Sequence, residues 1–190
     1  MIKREWMKSR DFEAGIKYLK ESFSEPWNLI IEKACRENLR HDPQPKRSKF
    51  LAYANQHKYG PNEIMICEGN FKQLVFETML KNGKCTAPSL SDMPIYTGMI
   101  DTLRPFKDKI VKLVNDKELE VYNVTLPEHV LFPGFVKLNV YEKVGKTFVG
   151  VLGEGIGNWG RVNTFFGPLI FKRILNRDLV PIVQENIKAT

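Results

Sequence analysis

The sequence predicts an α+β fold: a helical N-terminal half, an antiparallel sheet with a hairpin near 135–152, and a C-terminal helix. Three observations carry that reading. Apolar residues recur at helical spacing over the first forty positions, the period falls to two beyond residue 119, and the final stretch is apolar and basic without strand alternation. With 190 residues, 43% hydrophobic and 27% charged, the chain is expected to form one domain, 1–190, whose core needs neither disulfides nor metal. Its parts are expected as helical over about 1–115, β-rich over about 116–160 and helical again over about 161–190.

Residues 9–23 read as an amphipathic helix. Ser9 suits the cap, Asp11 and Glu13 suit the positive end of the helix dipole, and Phe12, Ile16, Leu19 and Phe23 share a face. A second helix starts at Ser24 with Pro26 in its first turn and Trp27, Ile30, Ile31, Ala34 and Leu39 as its apolar side. His41-Asp42-Pro43-Gln44-Pro45 stops it, because a residue before proline is pushed out of helical backbone. Residues 50–59 are expected as a third short helix ended by Gly60-Pro61, and Glu63–Cys67 as a buried strand. Asn70 is the expected cap of a helix reaching Lys81, with Phe71, Leu74, Val75 and Thr78 inward and Gly83 closing it. The prolines and serines over 84–98 write a long loop, and residues 105–115 fit a helix opened by Pro105. Val121, Asn123 and Thr125 then alternate with Tyr122, Val124 and Leu126. The run 135–144 alternates again, Gly145 turns the chain, and Lys146–Leu152 completes the hairpin. Phe165 to Lys188 is expected to be helical in two pieces broken near Pro181.

The sharpest motif is Gly155-Ile156-Gly157-Asn158-Trp159-Gly160, which spells G-x-G-x-x-G after an apolar strand. A dinucleotide site needs that turn inside a βαβ unit, followed by a parallel strand. Thirty residues remain, two of them prolines, so the rest of such a sheet does not fit. Walker A, G-x-S-x-G and C-x-x-C sequences are absent. A zinc site would have to gather isolated residues such as Cys35 and His41 or His57 and Cys67, and none is expected. A Cys85–His129 dyad is one nucleophilic possibility, since Lys84 beside Cys85 favours a thiolate. A metal-dependent nuclease would draw on Asp92, Asp101, Glu118 and Glu120, but their order forms no recognisable carboxylate pattern. No cofactor is expected.

Charge points to partners. Residues 1–60 carry thirteen basic and eight acidic side chains and residues 131–190 eight and four, while residues 61–130 carry eight and ten. The two ends therefore hold the excess behind the net charge of +7. Three cysteines without paired spacing, and a start lacking any apolar stretch, predict a reducing, cytoplasmic setting. The leading expectation is a non-enzymatic binding or structural protein that engages a polyanion, RNA or single-stranded nucleic acid first. Lys46, Arg47, Lys49, Arg161, Lys172, Arg173 and Arg177 would meet phosphates, and Trp159 would stack on a base. The alternative is a peripheral, matrix-like assembly protein on an anionic membrane. There, Leu169, Ile170, Phe171, Ile174 and Leu175 form an apolar stripe with a basic border. The competing structural expectation buries that stripe against the sheet.

Overall fold

The computed structural model describes residues 9–38, 56–105, 107–127, 129, 131–156 and 160–189. Two helices come first, α1 (Ser9–Ser22) and α2 (Trp27–Glu37), with Pro26 at the N-cap of α2. They bury Phe12, Ile16, Leu19, Ile31, Ala34 and Cys35, close to the face that their spacing predicts. The remaining elements are β1 (Gln56–Glu68), α3 (Lys72–Lys81), a 3₁₀ turn at Gly83–Cys85, β2 (Ile100–Leu103) and β3 (Asp108–Asn115). They are followed by β4 (Glu120–Thr125), β5 (Gly134–Lys143), β6 (Lys146–Ile156), α4 (Gly160–Ile174), one π turn at Leu175–Leu179, and α5 (Val180–Lys188).

The six strands form one sheet in the order β1-β6-β5-β4-β3-β2, antiparallel throughout. Strands β2 to β6 are thus a meander, and the first strand returns to pair with the last. The α+β class is confirmed. The β5–β6 hairpin turns at Val144 and Gly145, both at positive φ, the backbone that two-residue hairpin loops require. In the C-terminal segment the helix is interrupted by the π turn just before Pro181, where a proline lacks the N–H for an ordinary turn.

The part expected as helical over about 1–115 holds three of the six strands, β1, β2 and β3, and two of its segments expected as helices are strands instead. Residues 105–115 are not a helix: Pro105 sits in the β2–β3 turn and Asp108–Asn115 is a strand. Val111 and Leu113 point to one face and Ile110 and Lys112 to the other, so the spacing that fits a helix is two-faced alternation interrupted by a buried lysine. Residues 56–59, placed in a third helix, belong to β1, which runs through Gly60-Pro61 by a register shift between Tyr59 and Asn62. Residues 50–55 of that expected helix lie outside the described residues, as do Leu39 and the 41–45 stop. The third helix begins at Lys72 with Phe71 at the N-cap. The Phe71 N–H is satisfied not by Asn70 but by Thr147 Oγ1 at 2.9 Å. Its buried side is Val75, Phe76, Thr78 and Met79.

Helices cover both faces of the sheet. On one, α1 and α2 pack on Val111, Leu113, Val124, Leu126 and Phe135. Phe23 and Trp27 pin the α1–α2 connection there, with ring centroids 5.4 and 5.2 Å from Tyr122. On the other, α3 and the C-terminal helices pack on Ile64, Ile66, Val121, Leu138, Val140, Val149 and Val151.

The glycines of the C-terminal third serve this packing. A Cβ at Gly153 would overlap the ring of Tyr59, and one at Gly167 would stand 2.7 Å from it. One at Gly155 would stand 2.9 Å from the His57 ring. Tyr59 therefore lies in a slot made by two glycines, one on β6 and one on α4. Gly153→Ala is expected to destabilise the fold by about 1–3 kcal/mol in urea unfolding. The loss should shrink in a Tyr59→Leu background, and equal losses in both backgrounds would show that the slot does not set the constraint.

Candidate anionic-surface interface

The C-terminal helices divide their side chains between two faces. Phe171, Ile174, Leu175, Leu179 and Val183 are buried on the sheet, which the antiparallel layer demands of any helix covering it. Phe166, Leu169 and Ile170 are not: they are 52, 54 and 45% exposed. Their spacing of three, then four, residues toward Arg173 places them on one stripe of α4. The single stripe read from Leu169 to Leu175 is therefore two, with Leu169 and Ile170 facing outward.

Cations border the outer stripe. Lys172 and Arg173 are exposed and have no ion-pair partner among the described residues. Arg177 is exposed too, but its guanidinium is forked onto Asp178, with Nη2–Oδ2 at 2.6 Å and Nε–Oδ1 at 2.7 Å. That neighbour raises the Arg177 pKa and offsets its charge. Arg161 lies in the first turn of α4. Lys46, Arg47, Lys49 and Trp159 lie outside the described residues. Beside the stripe a shallow groove runs between Pro61, Asn62 and Ile64 of β1 and Pro168, Leu169 and Lys172 of α4. The Asn62 Nδ2 is buried there without a hydrogen-bond acceptor among the described residues.

The catalytic alternatives do not assemble. Cys85 is buried, and burial above all, with the charges of Asp178 and Asp92, pushes its thiol up to about 12. Lys84 pairs with Asp92 at 3.0 Å instead of favouring a thiolate. His129 Nδ1 accepts the Leu131 N–H at 3.0 Å. Of the nuclease carboxylates, Asp92 is an exposed loop residue, Asp101 is buried, Glu118 lies in the turn before β4, and Glu120 is held by Lys137 at 2.9 Å and the Tyr122 hydroxyl at 2.8 Å. Among the described residues no three His, Cys, Asp or Glu side chains converge as metal ligands. The G-x-G-x-x-G run starts in β6, whose neighbours β1 and β5 are both antiparallel, so the strand does not enter a βαβ unit.

One polar cluster escapes the sequence reading because its members are far apart in the chain. Beneath segment 83–99, Lys112 on β3 is 0% exposed and its Nζ lies 2.9 Å from Thr86 Oγ1, 3.2 Å from Asn123 Oδ1 and 3.2 Å from Asp101 Oδ2. Asn123 Nδ2 donates to the Thr86 carbonyl at 2.8 Å. Asp101 Oδ1 accepts from the Ser89 hydroxyl and the Thr102 N–H, both at 2.7 Å. A lysine inside an apolar run is the one signal in the sequence that could have pointed there.

No protein-family model matches this chain, and no curated protein matches it either. No described helix is long and apolar enough to cross a membrane.

The thiols give a check on this placement. Burial raises both Cys35 and Cys85 to about 12 from an ordinary value of 9.0. A raised thiol contributes stability that is whole below 9.0 and is lost as pH climbs toward 12. At mildly alkaline pH a chromogenic disulfide should therefore react with Cys35 and Cys85 only as the chain unfolds. Rapid labelling of native Cys85 would contradict its burial.

Proposed function

We propose that this chain is a peripheral membrane protein that docks on anionic lipid through the outer face of α4. The observation that carries the reading is the stripe Phe166, Leu169 and Ile170, exposed in the folded protein and bordered by Lys172 and Arg173. Burying one such side chain is worth roughly 1.5–3 kcal/mol, so Leu169 and Ile170, about half exposed, gain from meeting an apolar phase. A helix lying in the interface inserts its apolar face about 5–10 Å into the headgroup and acyl boundary, leaving its cations at the phosphates. Each cation near an anionic leaflet adds about 1 kcal/mol. The two contributions reinforce each other only if both occur on one face, as they do on α4.

Single-stranded RNA would use the same cations through phosphate contacts and counterion release. Two of the three exposed stripe residues are aliphatic and offer no ring for a base to stack on. That favours lipid over RNA.

Co-sedimentation with vesicles of stated phosphatidylserine content tests the proposal. Binding should require the anionic lipid and weaken with salt. Leu169→Asp should abolish it. Lys172→Ala with Arg173→Ala should cost about 2 kcal/mol, or roughly thirtyfold in affinity. Salt-sensitive binding to a single-stranded RNA without vesicle binding would assign the surface to nucleic acid, and binding to neither would overturn both readings.

A further inference from the structure

Lys112, Asn123 and Asp101 stand on the three neighbouring strands β3, β4 and β2. Lys112 and Asn123 are direct cross-strand partners, and Asp101 is paired with Ile110, two residues from Lys112 and on the same face. All three side chains are buried, at 0, 4 and 2% exposure. This is a primary amine held against a carboxamide, with a carboxylate beside it, all three buried from bulk solvent. From that juxtaposition we infer that the chain crosslinks itself, joining Lys112 Nζ to Asn123 Cγ in an amide, with Asp101 moving the protons.

The reaction balances without any other reagent. The Lys112 ammonium passes one proton to Asp101 Oδ2, the carboxylate oxygen that has no aligned hydrogen bond. The neutral Nζ attacks Asn123 Cγ, forming the new C–N bond. The carbon–Nδ2 bond then breaks. The Asp101 carboxyl gives its proton to the departing Nδ2 and takes one from Nζ, and ammonia leaves. Asp101 ends protonated, holding the second proton taken from Nζ, which it later releases to water.

Three features favour this step. Proximity is supplied by the fold: Lys112 and Asn123 are direct cross-strand partners, and the nitrogen lies 3.2 Å from Oδ1, the atom bonded to the carbon under attack. Burial pushes the Lys112 ammonium down, toward the amine that attacks, although Asp101 opposes the shift. The product also replaces a desolvated ion pair by a neutral amide. Asn123 is the acceptor because an amide carbonyl is electrophilic where a carboxylate anion is not. Asp101 is therefore left as the proton carrier.

Intact-mass measurement of the purified full-length chain in denaturant decides it. The expected mass is that of the sequence less one ammonia, and proteolysis should yield a branched peptide joining Lys112 to Asn123. Asp101→Asn, checked for its sheet by circular dichroism, should keep the full sequence mass, as should Lys112→Met. The wild-type mass suffices if either variant does not fold. The full sequence mass in the wild-type chain overturns the inference. So does a loss of one water with the branch at Asp101, or a branch between any other residues.

Discussion

The orientation of the C-terminal helix depends on one interlock: the ring of Tyr59 seated between Gly153 and Gly167. Those residues belong to the first strand, the last strand and α4, so one aromatic side chain joins the outer pair of strands to the helix that covers them. A β-carbon at either glycine would push the helix away from the sheet or the strands apart. With α4 held this close, Phe171, Ile174 and Leu175 reach the core while Phe166, Leu169 and Ile170 are turned outward. The exposed stripe is thus a consequence of the packing that buries the opposite one. The Tyr59 hydroxyl is buried without a partner among the described residues. Burial raises its pKa, and the ring is retained despite that cost.

Much of this architecture is legible along the chain where one physical signal acts alone. In β4 and β5 a period of two is legible in the residues themselves, and the buried positions Leu138 and Val140 of β5 follow it. In β3 it is masked. Ile110, Val111, Leu113 and Val114 are apolar on both faces because α1 and α2 cover one and segment 83–99 lies over the other, and the inward position between them is Lys112. In β1 the breakers Gly60 and Pro61 argue for a helix end, but an edge strand admits proline at a bulge. The site divides in the same way. The exposure of Lys172 and Arg173 follows from their charge, whereas a helix with apolar residues on two faces does not say which face the sheet takes. The glycine-rich run misleads for a related reason, since glycines that admit a ring and glycines that admit a phosphate look alike in sequence.

Charge is distributed so that the net excess matters locally. Lys20, Arg36, Lys84, Lys137, Lys143 and Lys146 each face a carboxylate within 3.1 Å, so much of the surface is electrostatically quiet. Exposed pairs of this kind contribute little to stability, typically 0–1 kcal/mol, but they cancel one another's field at a distance. Lys172 and Arg173 have no such partner among the described residues, and beside them the surface is apolar. On the reading proposed above, an anionic surface would meet two uncompensated cations there beside apolar side chains.

The buried cluster answers a different problem. Segment 83–99 is long and carries few apolar anchors, yet it must cover the end of the sheet where β2 and β3 lack a helix on that face. Its backbone is fastened by polar contacts instead, with Gly98 N–H donating to the Lys112 carbonyl and Lys112 N–H to the Met99 carbonyl, at 2.8 and 2.9 Å. The side chain of Lys112 then reaches Thr86 near the start of the covering segment and Asp101 on β2, just past its end. A buried ion pair is a weak stabiliser, because desolvation consumes most of the Coulomb attraction, but it is highly selective: removing either partner leaves a charge in the core. Selectivity of that kind brings an amine, an amide and an acid into a fixed, dry arrangement. Once they are so placed, conversion of the pair to a covalent amide would relieve the electrostatic cost and keep the geometry that the cluster exists to hold.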